Sequence, residues 1–330
     1  MEDVQHGGAS VFVRSPGLDA ANIETAVTIP TFRRPEHLLR TIESVHDQID
    51  AATTAIIVIE NESVNRAGAE AVGPLFSENE YNGLVIVAHE RGNCQAYNAG
   101  WSVCLNEFPN LKWVAVLDDD EIASPSWLEG MKQTADECSA DICGGPQIPV
   151  FLGNPPEKWK SHPVFTPHYC ETGPVETLYS SGNLLLRADV LRQMPQPFMD
   201  LAFNFTGGGD TDFLRRAKAN GKRLAWCNEA PVNETIPETR VTRDWIIKRS
   251  LRNGELSARI EHRARAKQSF GRLITIARSI ALAGAAIPRS GVAYLKHGSF
   301  LNGFYHLYVA LGRLLSEFGY VNEQYRNPTD

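Results

Sequence analysis

"WVAVLDDDEIASPSWLE", residues 113–129, sets an apolar run, Trp113 to Leu117, directly ahead of Asp118, Asp119, Asp120 and Glu121. The run has the length and composition of a buried strand, and Ser124 as cap with Pro125 at the first helical position predicts a helix behind it. Carboxylates this close repel one another, and desolvating them is costly unless something positive sits among them. They therefore either fan out into water as an acidic turn capping the next helix or converge on a cation.

Upstream the same alternation repeats. "TAVTIP" (25–30) is a short β-branched run ended by Pro30, and "EHLLRTIESV" (36–45) carries Leu38, Leu39, Ile42 and Val45 at helical spacing. "AIIVIE" (55–60) and "LVIVAHE" (84–90) read as further strands, and "CQAYNAGWSVCLNEF" (94–108) as a helix. Apolar strands alternating with amphipathic helices predict an α/β fold with a Rossmann-like, mainly parallel sheet flanked by helices. Ligands of such sheets bind beyond the carboxyl ends of the strands, near the point where strand order switches. Thr31-Phe32-Arg33-Arg34, Glu60-Asn61-Glu62-Ser63, Glu90-Arg91-Gly92-Asn93 and the three aspartates are expected to gather there. In that setting Asp118 and Asp120, two apart on an extended segment, face one way and offer hard oxygens suited to Mg2+ or Mn2+.

Two other groups carry chemistry. "GGGDTDF" (207–213) puts Asp210 and Asp212 at a helix start with glycines that give a substrate room, as a catalytic base requires; the alternative is that Asp210 or Thr211 is a helix cap. At the strand ends, Glu60, Asn61 and Asn98 could accept from a uracil N–H or ribose hydroxyls, and Arg34 and Arg91 could meet phosphate; each could equally be a solvated loop residue. "GNCQAYNAG" has spaced glycines without the dinucleotide pattern GxGxxG.

The chain has 330 residues with 43% hydrophobic and 22% charged content, values of a globular protein. Its net charge of −7 is unevenly spread: +9 from Arg240 onward and −16 before it. An acidic body with a basic end suggests two surfaces with different partners. No nucleic-acid partner is expected. The six cysteines lack metal-pair spacing, and MEDVQHGGAS lacks a basic start followed by an apolar core, so reduced thiols in a cytoplasmic protein are expected. No stretch reaches the roughly 18 uninterrupted apolar residues of a spanning helix.

"VTIPTFRRPEHLLRTIESV", "VIENES", "ERGNCQAYNAGW", "WVAVLDDDEIASPSWLE" and "GGGDTDFLRRAKANG" resemble, in order and spacing, the family 2 glycosyltransferases with the GT-A fold. "NETIPETRVTRDWIIKRSLRNG" (233–254) is similar to a C-terminal signature of bacterial succinoglycan-type exopolysaccharide glycosyltransferases. The resemblance implies a metal-dependent, inverting transfer from a nucleoside-diphosphate sugar, a UDP-sugar foremost, to a saccharide or lipid-linked saccharide hydroxyl. It implies nucleoside binding by Pro30, Thr31, Glu60 and Asn61, metal binding by Asp120 and Asp118, and Asp118 or Asp119 nearer the nucleoside. It makes Asp210 the base, with Gly209 standing where the family often has Glu, and Glu60 where it often has Asp. A nucleotidyltransferase of similar fold and an inactive nucleotide-sugar-binding protein are the alternatives; a glycoside hydrolase would have no need of the aspartate pair.

The expected organisation is a flexible tail (1–22), a catalytic domain (23–240) and a basic, amphipathic helical region (241–330). Arg240, Arg243 and Trp245 stand as contacts for a diphosphate or a phosphate-bearing acceptor. "FGRLITIARSIALAGAAIP" and "FLNGFYHLYVALGRLL" are apolar with sparse basic punctuation, suited to peripheral contact with the inner face of the cell membrane. A helical hairpin packed on the catalytic domain or a homodimer interface is the alternative.

Overall fold

The computed structural model describes residues 8–323 and residue 326. Its strands and helices run β1 (Ala9–Arg14), β2 (Thr25–Thr31), α1 (Pro35–His46), β3 (Thr54–Glu60), α2 (Ala67–Ser77), β4 (Gly83–Ala88), α3 (Asn93–Glu107), β5 (Trp113–Leu117), β6 (Glu121–Ala123) and α4 (Trp127–Glu137). There follow β7 (Ile142–Gly144), β8 (Gln147–Phe151), α5 (Glu157–Lys160), β9 (Gly173–Val175), β10 (Asn183–Arg187), α6 (Ala188–Gln193), α7 (Gly209–Ala219), β11 (Leu224–Trp226) and β12 (Val232–Ile236). Three long helices close the chain: α8 (Arg243–Ala264), α9 (Gly271–His297) and α10 (Phe300–Glu317).

Two compact units share these elements. The first takes the chain up to Gln147, His168–Phe205 and Gly209–Glu234; the second takes Ile148–Pro167, Thr206–Gly208 and the chain from Thr235 onward. The chain passes between the two units several times, the last time between Glu234 and Thr235.

The first unit is built on a nine-stranded sheet of order β1-β4-β3-β2-β5-β10-β7-β11-β9. Its heart, β4-β3-β2-β5, is parallel, with Thr31 opposite Glu60 at the carboxyl ends of β2 and β3. β10 runs antiparallel to both β5 and β7. The strand residues of β3, β4 and β5 are all buried, as continuous apolar runs covered on both faces must be. α1 opens with Pro35, whose missing N–H costs nothing at the first turn, and buries Leu38, Thr41, Ile42 and Val45. Strand order reverses between β2 and β5, so the crevice lies at the end of Thr31 and Leu117.

Residues 1–22 were expected as a flexible tail, but Ala9–Arg14 pair antiparallel with β4. Val11, Phe12 and Val13 supply the β propensity, and the pairing covers an apolar sheet edge. Helix α4 also starts later than expected. Ser124 donates its amide to Pro231, continuing the β6–β12 ladder, so its backbone is extended and the helix is entered through Ser126 at φ 61°.

In the second unit α9 runs on through Pro288. One consequence is that Gly271–Lys296 is long and apolar enough to cross a membrane by length and composition, with mean hydropathy 1.2. This revises the expectation that no segment qualifies. α8 begins at Thr242, whose side-chain oxygen accepts the Trp245 amide at 3.2 Å. A small core of Phe165, Ile236, Ile246 and Leu301 ties α8 and α10 to the segment Ile148–Pro167.

Candidate functional site

The acidic turn is not solvated. Asp119 is buried, and its Oδ2 accepts from the Thr31 hydroxyl at 2.8 Å and from the Phe32 amide at 3.3 Å. The turn after β2 passes through Arg33 at φ 60°, a left-handed conformation that brings the next side chain back over the sheet end. That side chain, Arg34, reaches Asp119 at 3.1 Å and Asp120 at 2.7 Å. The sequence left the aspartates without a charge partner; the structure gives them this guanidinium. Burial opposes its charge, but Asp119 and Asp120 prevail and raise its pKa.

Asp118 faces elsewhere. Its Oδ1 accepts from the Tyr97 hydroxyl at 2.7 Å, and Tyr97 accepts from Ser181 at 3.0 Å. Burial, and then the charge of Asp120, push the Asp118 carboxyl well above the usual carboxylate range. Asp119 moves the same way because burial outweighs Arg34. Glu121, fully buried beside Asp118, is raised by burial and by that neighbour. Burial is the first cause of each shift, and crowding adds to it: four consecutive acidic side chains, Asp118 to Glu121, gather here, a surplus of acidic groups.

A divalent cation suits that surplus. Among the described residues no three His, Cys, Asp or Glu side chains form a ready-made cage. The ion would accordingly take one or two carboxylates, Asp120 and Asp118, and complete its shell with phosphate oxygens and water, which is how Mg2+ is commonly held. There is room beside Asp118 because residue 182 is glycine: a Cβ there would lie 2.9 Å from Asp118 Oδ2.

The other strand-end residues divide into exposed and committed ones. Arg91 lies over the Phe32 ring at 5.0 Å, with Arg33 at 4.9 Å. Asn61 holds the loop carrying Arg91, accepting from the Gly92 amide at 2.8 Å. Pro30 is half-buried in β2, one residue before Thr31. Glu60, expected at ribose, has both carboxylate oxygens turned inward to the amides of Glu62, Gly68 and Ala69, where they cap the start of α2. Asn98 is likewise spent, donating to the Met199 carbonyl and accepting from its amide, each at 2.8 Å.

Asp210 and Asp212 occupy the first turn of α7. Asp212 is buried and paired with Arg216 at 2.8 Å, one turn on. Asp210 accepts from the Thr211 amide at 2.7 Å. Gly209 has a packing reason: a Cβ there would stand 2.6 Å from Cys94 Sγ, so this chain has filled with a cysteine the space a larger residue would need. Burial, and then Asp118, raise the pKa of the Tyr97 phenol.

Tyr97, Ser181 and Gly182 were not found by sequence reasoning. Tyr97 hides inside an unremarkable helical stretch, and Ser181-Gly182 precede a strand that carries no motif. The segment Tyr179–Gly182 reaches from Thr211, whose hydroxyl donates to the Tyr179 carbonyl at 3.4 Å, to the edge of Asp118. Arg240, Arg243 and Trp245 belong to the second unit. There Trp245 stacks flat on Phe165 at 5.9 Å, Arg240 is half-buried and Arg243 exposed.

Comparison with known proteins agrees with this architecture. The chain is 30% identical over 263 residues to the succinoglycan biosynthesis protein ExoM of Rhizobium meliloti (strain 1021), covering 78% of this chain and 80% of that protein. The structure of S. aureus TarS 1-349 in complex with UDP superposes with a TM-score of 0.51 at 12% identity, over 93% of this chain and 98% of that one. GalNAc-T7 with UDP, GalNAc and Mn2+ gives a TM-score of 0.51 at 13% identity, over 66% of this chain and 45% of that one. The fold is GT-A, with a C-terminal helical part. Residues 26–194 match the glycosyl transferase family 2, and with the ExoM likeness spanning most of the chain, this protein belongs to that family and is a glycosyltransferase.

Proposed function

We propose that the chain transfers a sugar from a UDP-sugar to a hydroxyl of a saccharide, carried on a lipid, in exopolysaccharide synthesis, working in the cytoplasm at the inner face of the membrane with inversion at the anomeric carbon. The observation that carries this reading is the interlock of Thr31, Arg34 and the three aspartates at the strand-order switch, with Thr211, next to Asp210, bonded to the segment Tyr179–Gly182 that reaches Asp118. The likeness to ExoM and to UDP-bound TarS supports the donor class.

In this reading the nucleoside lies over Phe32, Asn61 and Arg91, beyond β2, β3 and β4. Asp119, fixed by Thr31, holds the turn in place. A Mn2+ or Mg2+ ion held by Asp120 and Asp118 would neutralise charge on the departing diphosphate. Arg34, already cationic and aimed at that turn, adds a second positive group for the same oxygens. Asp210 takes the proton from the acceptor hydroxyl as it attacks from the face opposite the diphosphate; single displacement asks for no further carboxylate. Glu60, Asn98 and Asp212 act by holding loops and helices, since their polar atoms face inward.

Release of UDP from a panel of UDP-sugars with oligosaccharide acceptors tests the reaction. Release of sugar 1-phosphate, as the uridylyl group moves to the acceptor, would instead mark a nucleotidyltransferase, and no turnover a binding protein. Metal dependence is checked separately by calorimetric titration of UDP. Chelation with EDTA is expected to weaken binding at least tenfold, roughly 1.4 kcal/mol, and Asp120→Ala is expected to remove most of that difference. Equal affinity with and without Mn2+ would assign the whole counter-charge to Arg34 and sink the metal reading.

A further inference from the structure

Helix α9 is amphipathic in the wrong sense for a helix of a water-soluble fold. Its buried positions include three hydroxyls, with Thr275 and Ser279 at 0% exposure and Ser290 at 2%. Its apolar side chains point outward: Leu273 at 60%, Ile280 at 59%, Ile287 at 66% and Leu295 at 84%. These four recur every seven or eight residues and so form one stripe along the helix. Ala277, Gly284 and Gly291 lie in the same stripe and are exposed, and a Cβ at either glycine would touch nothing within 4 Å. Exposed Phe270 and Phe300 extend the apolar surface at the two ends.

We propose that this face of α9 docks lengthwise on an anionic lipid surface. An exposed apolar stripe of this length marks an interaction site, and charge says which kind. α9 contains Arg272, Arg278, Arg289 and Lys296 and no acidic residue. Arg278 pairs with Glu261 of α8; Arg272, Arg289 and Lys296 are exposed, Arg272 adjoining Leu273 at the start of the stripe and Lys296 following Leu295 at its end. A second copy of the chain would bring the same cations against these and repel them, whereas anionic headgroups attract them. Crossing the bilayer is opposed by the neighbours: α9 packs against α8 and α10, and α8 is dense in charge, from Arg243 and Asp244 to His262 and Arg263. The hydroxyl face stays with those helices while the apolar face meets lipid. This goes beyond the catalytic reading and stands without it.

The test is co-sedimentation of the full chain with phosphatidylglycerol-containing vesicles and with phosphatidylcholine vesicles, at low and high salt. At low salt the bound fraction is expected to be at least tenfold higher on the anionic vesicles, and to fall on adding salt because headgroup attraction is screened. A variant carrying Leu273→Gln, Ile280→Gln, Ile287→Gln and Leu295→Gln changes exposed positions alone. It should retain the parent's circular dichroism and melting temperature while losing vesicle binding. Failure of the parent chain to bind, or undiminished binding by the variant, overturns the proposal. So does retention through alkaline carbonate washing, which would mean insertion across the bilayer. A parent dimer that becomes a monomer in the variant, with no lipid binding by either, would assign the stripe to a second copy.

Discussion

Replacing Asp210 with asparagine is expected to lower the rate of sugar transfer by about 10²- to 10⁴-fold, the usual contribution of a positioned general base. Donor affinity, measured by titrating UDP into the variant, should stay within a few-fold of the parent because a base acts on the acceptor. The substitution is nearly isosteric, and asparagine Oδ1 can still accept the Thr211 amide that Asp210 accepts at 2.7 Å, so α7 should start as before. Retention of most of the rate would make Asp210 a helix-starting residue and nothing more. Asp212 is a poor substitute in that event, since it is buried against Arg216. The result would then return attention to the acidic turn itself.

The second large effect lies in the helical unit. Gly312→Ala or Gly254→Ala is expected to destabilise the helical unit by about 3 kcal/mol or more, the range of severe overpacking against atoms that cannot move aside. A Cβ at Gly312 would stand 1.9 Å from the Leu251 carbonyl oxygen, and one at Gly254 1.9 Å from that of Val309. These two glycines let α8 and α10 approach backbone to backbone. An internal control exists in Gly284→Ala on α9, where nothing lies within 4 Å and alanine should stabilise by roughly 0.5–1 kcal/mol through helix propensity. Hydrogen exchange in α8 and α10 reads the effect where it arises. Equal protection in all three variants would show that the helices separate at little cost.

Much of the sheet and its crevice was legible in the sequence. The alternation from Thr25 to Leu117 gave four strands of one sheet, because fully covered strands are written as unbroken apolar runs. The same logic put Thr31 and the aspartates at one end of them. What periodicity could not give was the direction of individual polar side chains. Glu60 ends a strand as a ligand residue would, yet it caps α2, a helix whose small residues and internal Pro74 made it inconspicuous. Arg34 was expected at phosphate; its bond to the aspartates, set by the left-handed turn at Arg33, was not legible. A proline removes one internal hydrogen bond, yet α9 accommodates Pro288, which is itself exposed. The N-terminal strand was missed because edge pairing depends on a partner, β4, distant in sequence.

The way the second unit is stitched has a consequence for synthesis on the ribosome. Phe165 packs in a core with Ile246 and Leu301, and the Asn302 side chain donates to the Lys158 carbonyl at 2.8 Å. Segment 148–167 therefore emerges long before the residues that bury it. At translation rates of about 5–20 residues per second it waits on the order of ten seconds with Trp159 and Phe165 uncovered. Nascent chains halted before α10 should be recognised by chaperones at this segment, and protein shortened from the C-terminus should aggregate rather than yield a tidy catalytic fragment. The helical end is the last stitch of the fold rather than a detachable appendage.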